Sequence, residues 1–207
     1  MCFYEKNQFT LHPWHGVEVG EKAPNIVNVF IEIVPSDILK YEIDKPSGIV
    51  KIDRPQKYSN IVPCLYGFIP QTYCDTAVAE WAKSKSELEI VQGDHDPLDV
   101  CVLTSYHIPR GNILLKAKPI GGFRMIDHGE ADDKIIAVLV DDEIYGKFNS
   151  IFEVEPSVIQ RLKHYFLTYK NLPDASPLCI IDAEYDQEEA RQIIQASRKD
   201  YVNNFSE

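Results

Sequence analysis

The chain has 207 residues, a formal net charge of −11, and a composition that is 44% hydrophobic and 11% aromatic. That describes one large folded domain over residues 1–207, with enough chain for a sizeable core, and excludes intrinsic disorder. The acid excess disfavours nucleic acid and anionic membranes as partners, so an anionic substrate would need local lysines, arginines or metal ions.

In chain order, "MCFYEKNQFTLHPWHG" lacks a basic stretch followed by an apolar one, which predicts no signal peptide. "NIVNVFIEI" (25–33) alternates, with Val27, Val29, Ile31 and Ile33 on one face and Asn28, Phe30 and Glu32 on the other, which predicts a strand. "LKYEID" (39–44) alternates likewise and gathers Lys40, Glu42 and Asp44 on one side. The turn signal "PSG" (46–48) and the run "IVKIDR" (49–54) complete a hairpin. Residues 75–91 read as a long loop with about one helical turn, and such loops are often functional. Further strands are predicted at 99–104, 112–123 and 133–140.

Helices come late. "PSVIQRLKHYFLTYKNL" (156–172) sets Val158, Leu162, Tyr165, Phe166 and Tyr169 on one stripe, with proline near its start and Pro173 beyond its end. A second helix, 186–201, opens with Asp186 and Glu189 in capping-box spacing. Strands followed by two C-terminal helices make an α+β order. The five cysteines are odd in number, with no C-x-x-C pair, which predicts reduced thiols in a cytoplasmic protein. No apolar run reaches the roughly 20 residues that span a bilayer.

The chemistry concentrates in "GDHDPLDV" (93–100), where Asp94, Asp96 and Asp99 crowd one turn. Carboxylates suit hard cations such as Mg²⁺, but one turn cannot complete an octahedral shell. A second acidic loop, "DHGEADDK" (127–134), offers Asp127, Asp132 and Asp133. D-x-D-x-x-D also resembles a calcium loop, although the EF-hand glycine and glutamate are missing. Either loop alone is compatible with a solvated acidic turn. Taken with Lys40, Arg54, Lys134, Tyr169 and Lys170, the two loops point to a site for a small, highly charged phosphate compound. Neither a P-loop nor a G-x-G-x-x-G occurs.

The ordered motifs LKYEIDKPSG, KIDR, PCLYGFIPQT, GDHDPLDV, MIDHGEADDKIIAV and HYFLTYKNL, spread from about residue 26 to 172, resemble the soluble family I inorganic pyrophosphatases. The resemblance implies an OB-like five-stranded β-barrel flanked by helices. It also implies hydrolysis of pyrophosphate to two phosphates with several Mg²⁺ ions. Carried onto this chain, it assigns the metals to Asp94, Asp99, Asp127, Asp132, Glu32 and Glu42. Asp96 faces the nucleophilic water, and Lys40, Arg54, Tyr66, Lys134, Tyr169 and Lys170 grip phosphate. A homo-oligomer is implied, hexameric in the short family members and dimeric in the long ones.

Three positions depart from the family pattern. Leu65 stands for the usual Asn, Val62 for a common Tyr, and His95 for Gly or Asn. The first two are expected to remove pocket hydrogen bonds. Because Gly and Asn tolerate φ > 0, His95 is expected to have positive φ with its imidazole in solvent. Rival readings from other classes are a non-catalytic cation-binding barrel and a metal-dependent phosphodiesterase; the acidic charge disfavours the second. His164 is assigned no chemistry, and Trp14, Trp81 and Cys101 are expected to serve packing.

Overall fold

Five strands pair around a closed ring. They are β1 (Val27–Ile33), β4 (Leu65–Phe68), β6 (Asp99–Leu103), β9 (Lys134–Leu139) and β7 (Ile113–Asp127), which returns to β1. The computed structural model describes residues 11–170 and 179–205. The ring agrees with an OB-like barrel. All of its neighbours are antiparallel except β6 and β9, which run parallel and set Asp99 beside Lys134. That register joins the two acidic loops of the sequence at one place. Gly67 in β4 allows the closest approach in the ring, since a Cβ there would lie 1.9 Å from the Phe30 carbonyl oxygen.

β1 is buried on both faces, unlike the half-exposed strand its alternation suggests. Val27, Val29 and Ile31 pack in one core cluster and Ile33, past a register shift, in another, while Phe30 and Glu32 are also covered. The cover is a separate hairpin, β2 (Leu39–Ile43) and β3 (Val50–Pro55), which places Ile43 with Phe30 and Phe68 in one apolar cluster. β7 runs 15 residues, longer than predicted. Its second half pairs with β10 (Cys179–Asp186), a strand that sequence periodicity did not suggest. Two short strands, β5 (Gln92–Gly93) and β8 (Glu130–Ala131), pair next to the acidic loops.

Among the described residues three α-helices pack on the ring. α2 (Pro156–Thr168) buries Ile159, Leu162, Tyr165 and Phe166 against Phe123, Met125 and Ile136. α3 (Gln187–Phe205) buries Ala190, Ile193 and Ile194 in a second cluster with β1 and β9 residues. Asp186 caps α3 as expected, its Oδ1 accepting the Glu188 and Glu189 N–H groups at 3.0 and 3.1 Å. Glu189 does not close the capping box; it pairs with Arg124 instead.

The loop predicted over 75–91 is corrected by α1 (Thr76–Lys85), a ten-residue helix. Its N-terminal Asp75 makes no side-chain cap, and the cap comes from Asp200 of α3. A cap supplied from 122 residues away leaves no local signal. Residues 171–172 of the predicted second-last helix lie outside the described residues.

Candidate active site

Asp99 is the hub. Its Oδ2 accepts the Tyr66 hydroxyl at 2.6 Å and is also ion-paired with the Lys134 ammonium. The same ammonium pairs with Asp132. Lys134 is almost wholly buried (2% exposed), and burial works against its charge. Asp132 and Asp99 outweigh that and hold its pKa well above the ordinary lysine value.

Asp94 and Asp132 lie close enough for each carboxyl to act on the other's titration. Burial, then each other's charge, raises the pKa of Asp94; Asp132 is raised chiefly by burial, against the pull of Lys134. Neighbouring buried carboxyls resist ionising together unless a cation neutralises their charge. Among the described residues no three His, Cys, Asp or Glu side chains stand close enough to enclose an ion as they are. Lysine ammonium groups fill the gaps between these carboxylates.

The β2–β3 hairpin forms the opposite wall of a cavity of about 380 Å³, lined by Glu32, Lys40, Glu42, Lys45, Lys51, Tyr66, Asp96 and Asp99 among others. Glu32 is 8% exposed, and its Oε1 accepts the Ile43 N–H at 2.7 Å. Burial first, then the Asp99 charge, push its pKa up to about 8 despite that bond. Lys40 donates to Glu42 at 3.0 Å and to Asp53 at 2.8 Å. Lys40 and Glu42 thus form an ion pair on the wall of the cavity.

A second group gathers at the end of α2. Lys170 is ion-paired with Asp127, and its ammonium lies 5.2 Å from the Tyr169 ring centroid. Asp127 also contacts His128 Nδ1 at 2.7 Å and accepts from Cys179 Sγ at 3.4 Å. Burial would raise the pKa of Asp127, but Lys170 outweighs it and the group is lowered. Tyr169 stacks on Tyr165 with ring centroids 5.3 Å apart. Its hydroxyl is pushed up to about 12 by burial, with Lys134 and Asp132 close enough to act on it in opposite senses. Tyr169 thus links this group to the hub. Arg54 pairs with Lys40 across the hairpin and approaches Asp53 at 3.8 Å; it lies outside the cavity lining.

His95 has φ of 59°, as the turn requires. Its imidazole is engaged as well as half-exposed: Nδ1 lies 3.1 Å from the Tyr73 hydroxyl and 3.8 Å from Asp75 Oδ1. Leu65 and Val62 are core residues, 2% and 0% exposed, and neither lines the cavity. Trp14 and Cys101 are buried, and Trp81 packs partly buried against the core. Three residues escaped sequence reasoning: Lys45 and Lys51, which line the cavity, and Asp53, which pairs with Lys40 beside it. The first and last lie in or beside "EIDKPSG" and "KIDR", but a hairpin turn gives no signal of what it overhangs.

The family model described as inorganic pyrophosphatase matches residues 29–202. The chain belongs to the inorganic pyrophosphatase family. An inorganic pyrophosphatase of Chlamydia muridarum is 48% identical over 200 residues, 94% of this chain and 96% of that one. A soluble inorganic pyrophosphatase of Zea mays is 38% identical over 191 residues, 92% of this chain and 79% of that one. The crystal structure of inorganic pyrophosphatase from Thermus thermophilus matches with a TM-score of 0.76 at 28% identity, covering 93% of this chain and 99% of that one. In this pyrophosphatase family member the hub and the cavity face each other across Asp99 and Tyr66.

Proposed function

We propose that this chain hydrolyses pyrophosphate to two phosphates with several Mg²⁺ ions held between the two acidic loops and the hairpin. The observation that carries the reading is the gathering of Asp99 and Asp132 on the one buried Lys134 ammonium with Asp94 nearby: more oxygen donors than that lysine neutralises. That donor set fits a hard divalent cation. When bound, such ions neutralise pyrophosphate and lower the pKa of the attacking water.

Asp94, Asp99 and Asp132 would hold the first ions, and Glu32, Glu42 and Asp127 would lie near further ones. A proton held by Glu32 at neutral pH would leave as the cation arrives. Asp96, half-exposed on the cavity wall, would take the proton of the attacking water. Lys40, Arg54, Tyr66, Lys134, Tyr169 and Lys170 would bind phosphate oxygens, replacing their present carboxylate partners where they have them. Cations and hydroxyls fixed around the leaving oxygens stabilise the charge that builds there.

The proposal extends to a cytoplasmic homo-oligomer acting on a small molecule. It rests there on the family, the acidic balance and the buried free thiols of Cys64, Cys74, Cys101 and Cys179. Among the described residues no helix is long and apolar enough to cross a membrane.

Titration calorimetry with Mg²⁺ alone tests the metal assignment. More than one ion should bind with proton release, and Asp94→Asn should lose at least one. Unchanged stoichiometry in Asp94→Asn would contradict it.

A further inference from the structure

Lys45 sits in the β2–β3 turn and reaches the acidic loop. Its ammonium is ion-paired with Asp96 and donates to the His95 carbonyl at 3.2 Å. The backbone of the same residue is held from behind. His12 Nδ1 accepts the N–H groups of Trp14 and His15 at 3.2 and 3.3 Å. The ring hydrogen therefore resides on the other nitrogen, and Nε2 donates to the Lys45 carbonyl at 2.8 Å.

The root of this link is rigid. Trp14 is 3% exposed, and its indole N–H donates to the Thr72 carbonyl at 2.7 Å. The turn accepts the imidazole only because position 48 is glycine: a Cβ there would lie 2.9 Å from the His12 ring, and φ is +70°. A segment outside the barrel thus grips the turn, and the turn grips Asp96.

We propose that Lys45, held in place by His12, is a positioning residue for Asp96 in pyrophosphate hydrolysis. This rests on the reading in which Asp96 takes the proton of the attacking water. Asp96 has a half-exposed side chain, 49%, so burial alone does not select its rotamer. The ion pair is too exposed to add much stability. Its effect is orientation, and proton transfer depends on heavy-atom distances held to within a few tenths of an ångström.

The test is a double-mutant cycle on the full chain with saturating Mg²⁺, reading kcat, KM and the unfolding midpoint. Lys45→Met should lower kcat about five-fold, the equivalent of ~1 kcal/mol at the upper end for an exposed pair, with KM and the midpoint unchanged. Lys45→Arg should restore most of the loss. His12→Ala should lower kcat in the same direction and add nothing to Lys45→Met. In an Asp96→Asn background, Lys45→Met should have no further effect. Equal losses in both backgrounds, or a rise in KM in place of the fall in kcat, would overturn the proposal while leaving the role of Asp96 intact. Full kcat in Asp96→Asn would overturn that role and this proposal together.

Discussion

The Asp200 carboxylate, near the end of α3, accepts the Val78 N–H at the start of α1 at 3.0 Å. It also accepts from Asp75 and Ala77 at 3.0 and 2.9 Å, and Asp200 is 1% exposed. Three of the orphan N–H groups of a helix start are thus satisfied by one distant charge. Asp200→Ala leaves them unpaired, that of Val78 buried, and should lower the unfolding free energy by about 2 kcal/mol. Asp200→Asn keeps one acceptor oxygen and should lose roughly half of that. Urea unfolding of the three proteins checks the order; a loss below about 0.5 kcal/mol in Asp200→Ala would show that the cap is replaceable.

Asp99 should be the carboxylate most costly to neutralise. It meets Tyr66 and Lys134 at once and lines the cavity. Asp99→Asn should lower turnover on the order of a hundred-fold and weaken Mg²⁺ binding. Near-normal turnover at sub-saturating Mg²⁺ would sink the assignment.

His95 should tolerate replacement by the residues that share its backbone. His95→Asn and His95→Gly should stay within a few-fold of the parent activity, because φ of 59° suits both. His95→Val should fare far worse, since a β-branched residue is a true outlier at that φ. Assays of the three variants decide it, and a large loss in Asn and Gly alike would bring the imidazole back as a participant through Tyr73.

How much of this was legible in the sequence varies with distance along the chain. The hairpin, the strand at 133–140 and the α3 cap at Asp186 are local patterns, and they appear where expected. The predicted site residues fall into two groups, one at Asp99 and one at Lys170, that Tyr169 joins. The ring itself depends on β7 meeting both β1 and β9, a pairing no local period records. α1 was unreadable because its cap is remote and its apolar face is weak. The role of Lys45 was unreadable because it depends on His12, 33 residues earlier.

Asp142 should govern part of the acid unfolding. Burial pushes its carboxyl up, but the N–H groups of Tyr145, Ser105 and Ile144 and the Thr104 hydroxyl outweigh that and hold it at about 2. The folded chain therefore binds this proton more weakly than the unfolded chain does. The resulting stability, about 2 kcal/mol, is present above pH ~4 and lost as pH falls through about 2. Asp142→Asn should flatten the stability profile in that window. An unchanged acid limb would contradict the account.

Calcium should bind without supporting turnover. It takes more ligands at longer distances than Mg²⁺ and lowers the pKa of bound water less. Both ions should raise the unfolding midpoint, by relieving the crowding of Asp94, Asp132 and Asp99. Comparable turnover with the two ions would contradict a site that needs tight octahedral geometry.

The central claim is hydrolysis of pyrophosphate that depends on a divalent cation. Phosphate release from pyrophosphate with Mg²⁺, set beside the same reaction with EDTA and beside a nucleotide triphosphate with Mg²⁺, tests it most directly. The account predicts rapid release in the first case and little in the other two. Release that persists with EDTA, or that is as fast from the nucleotide, would contradict it.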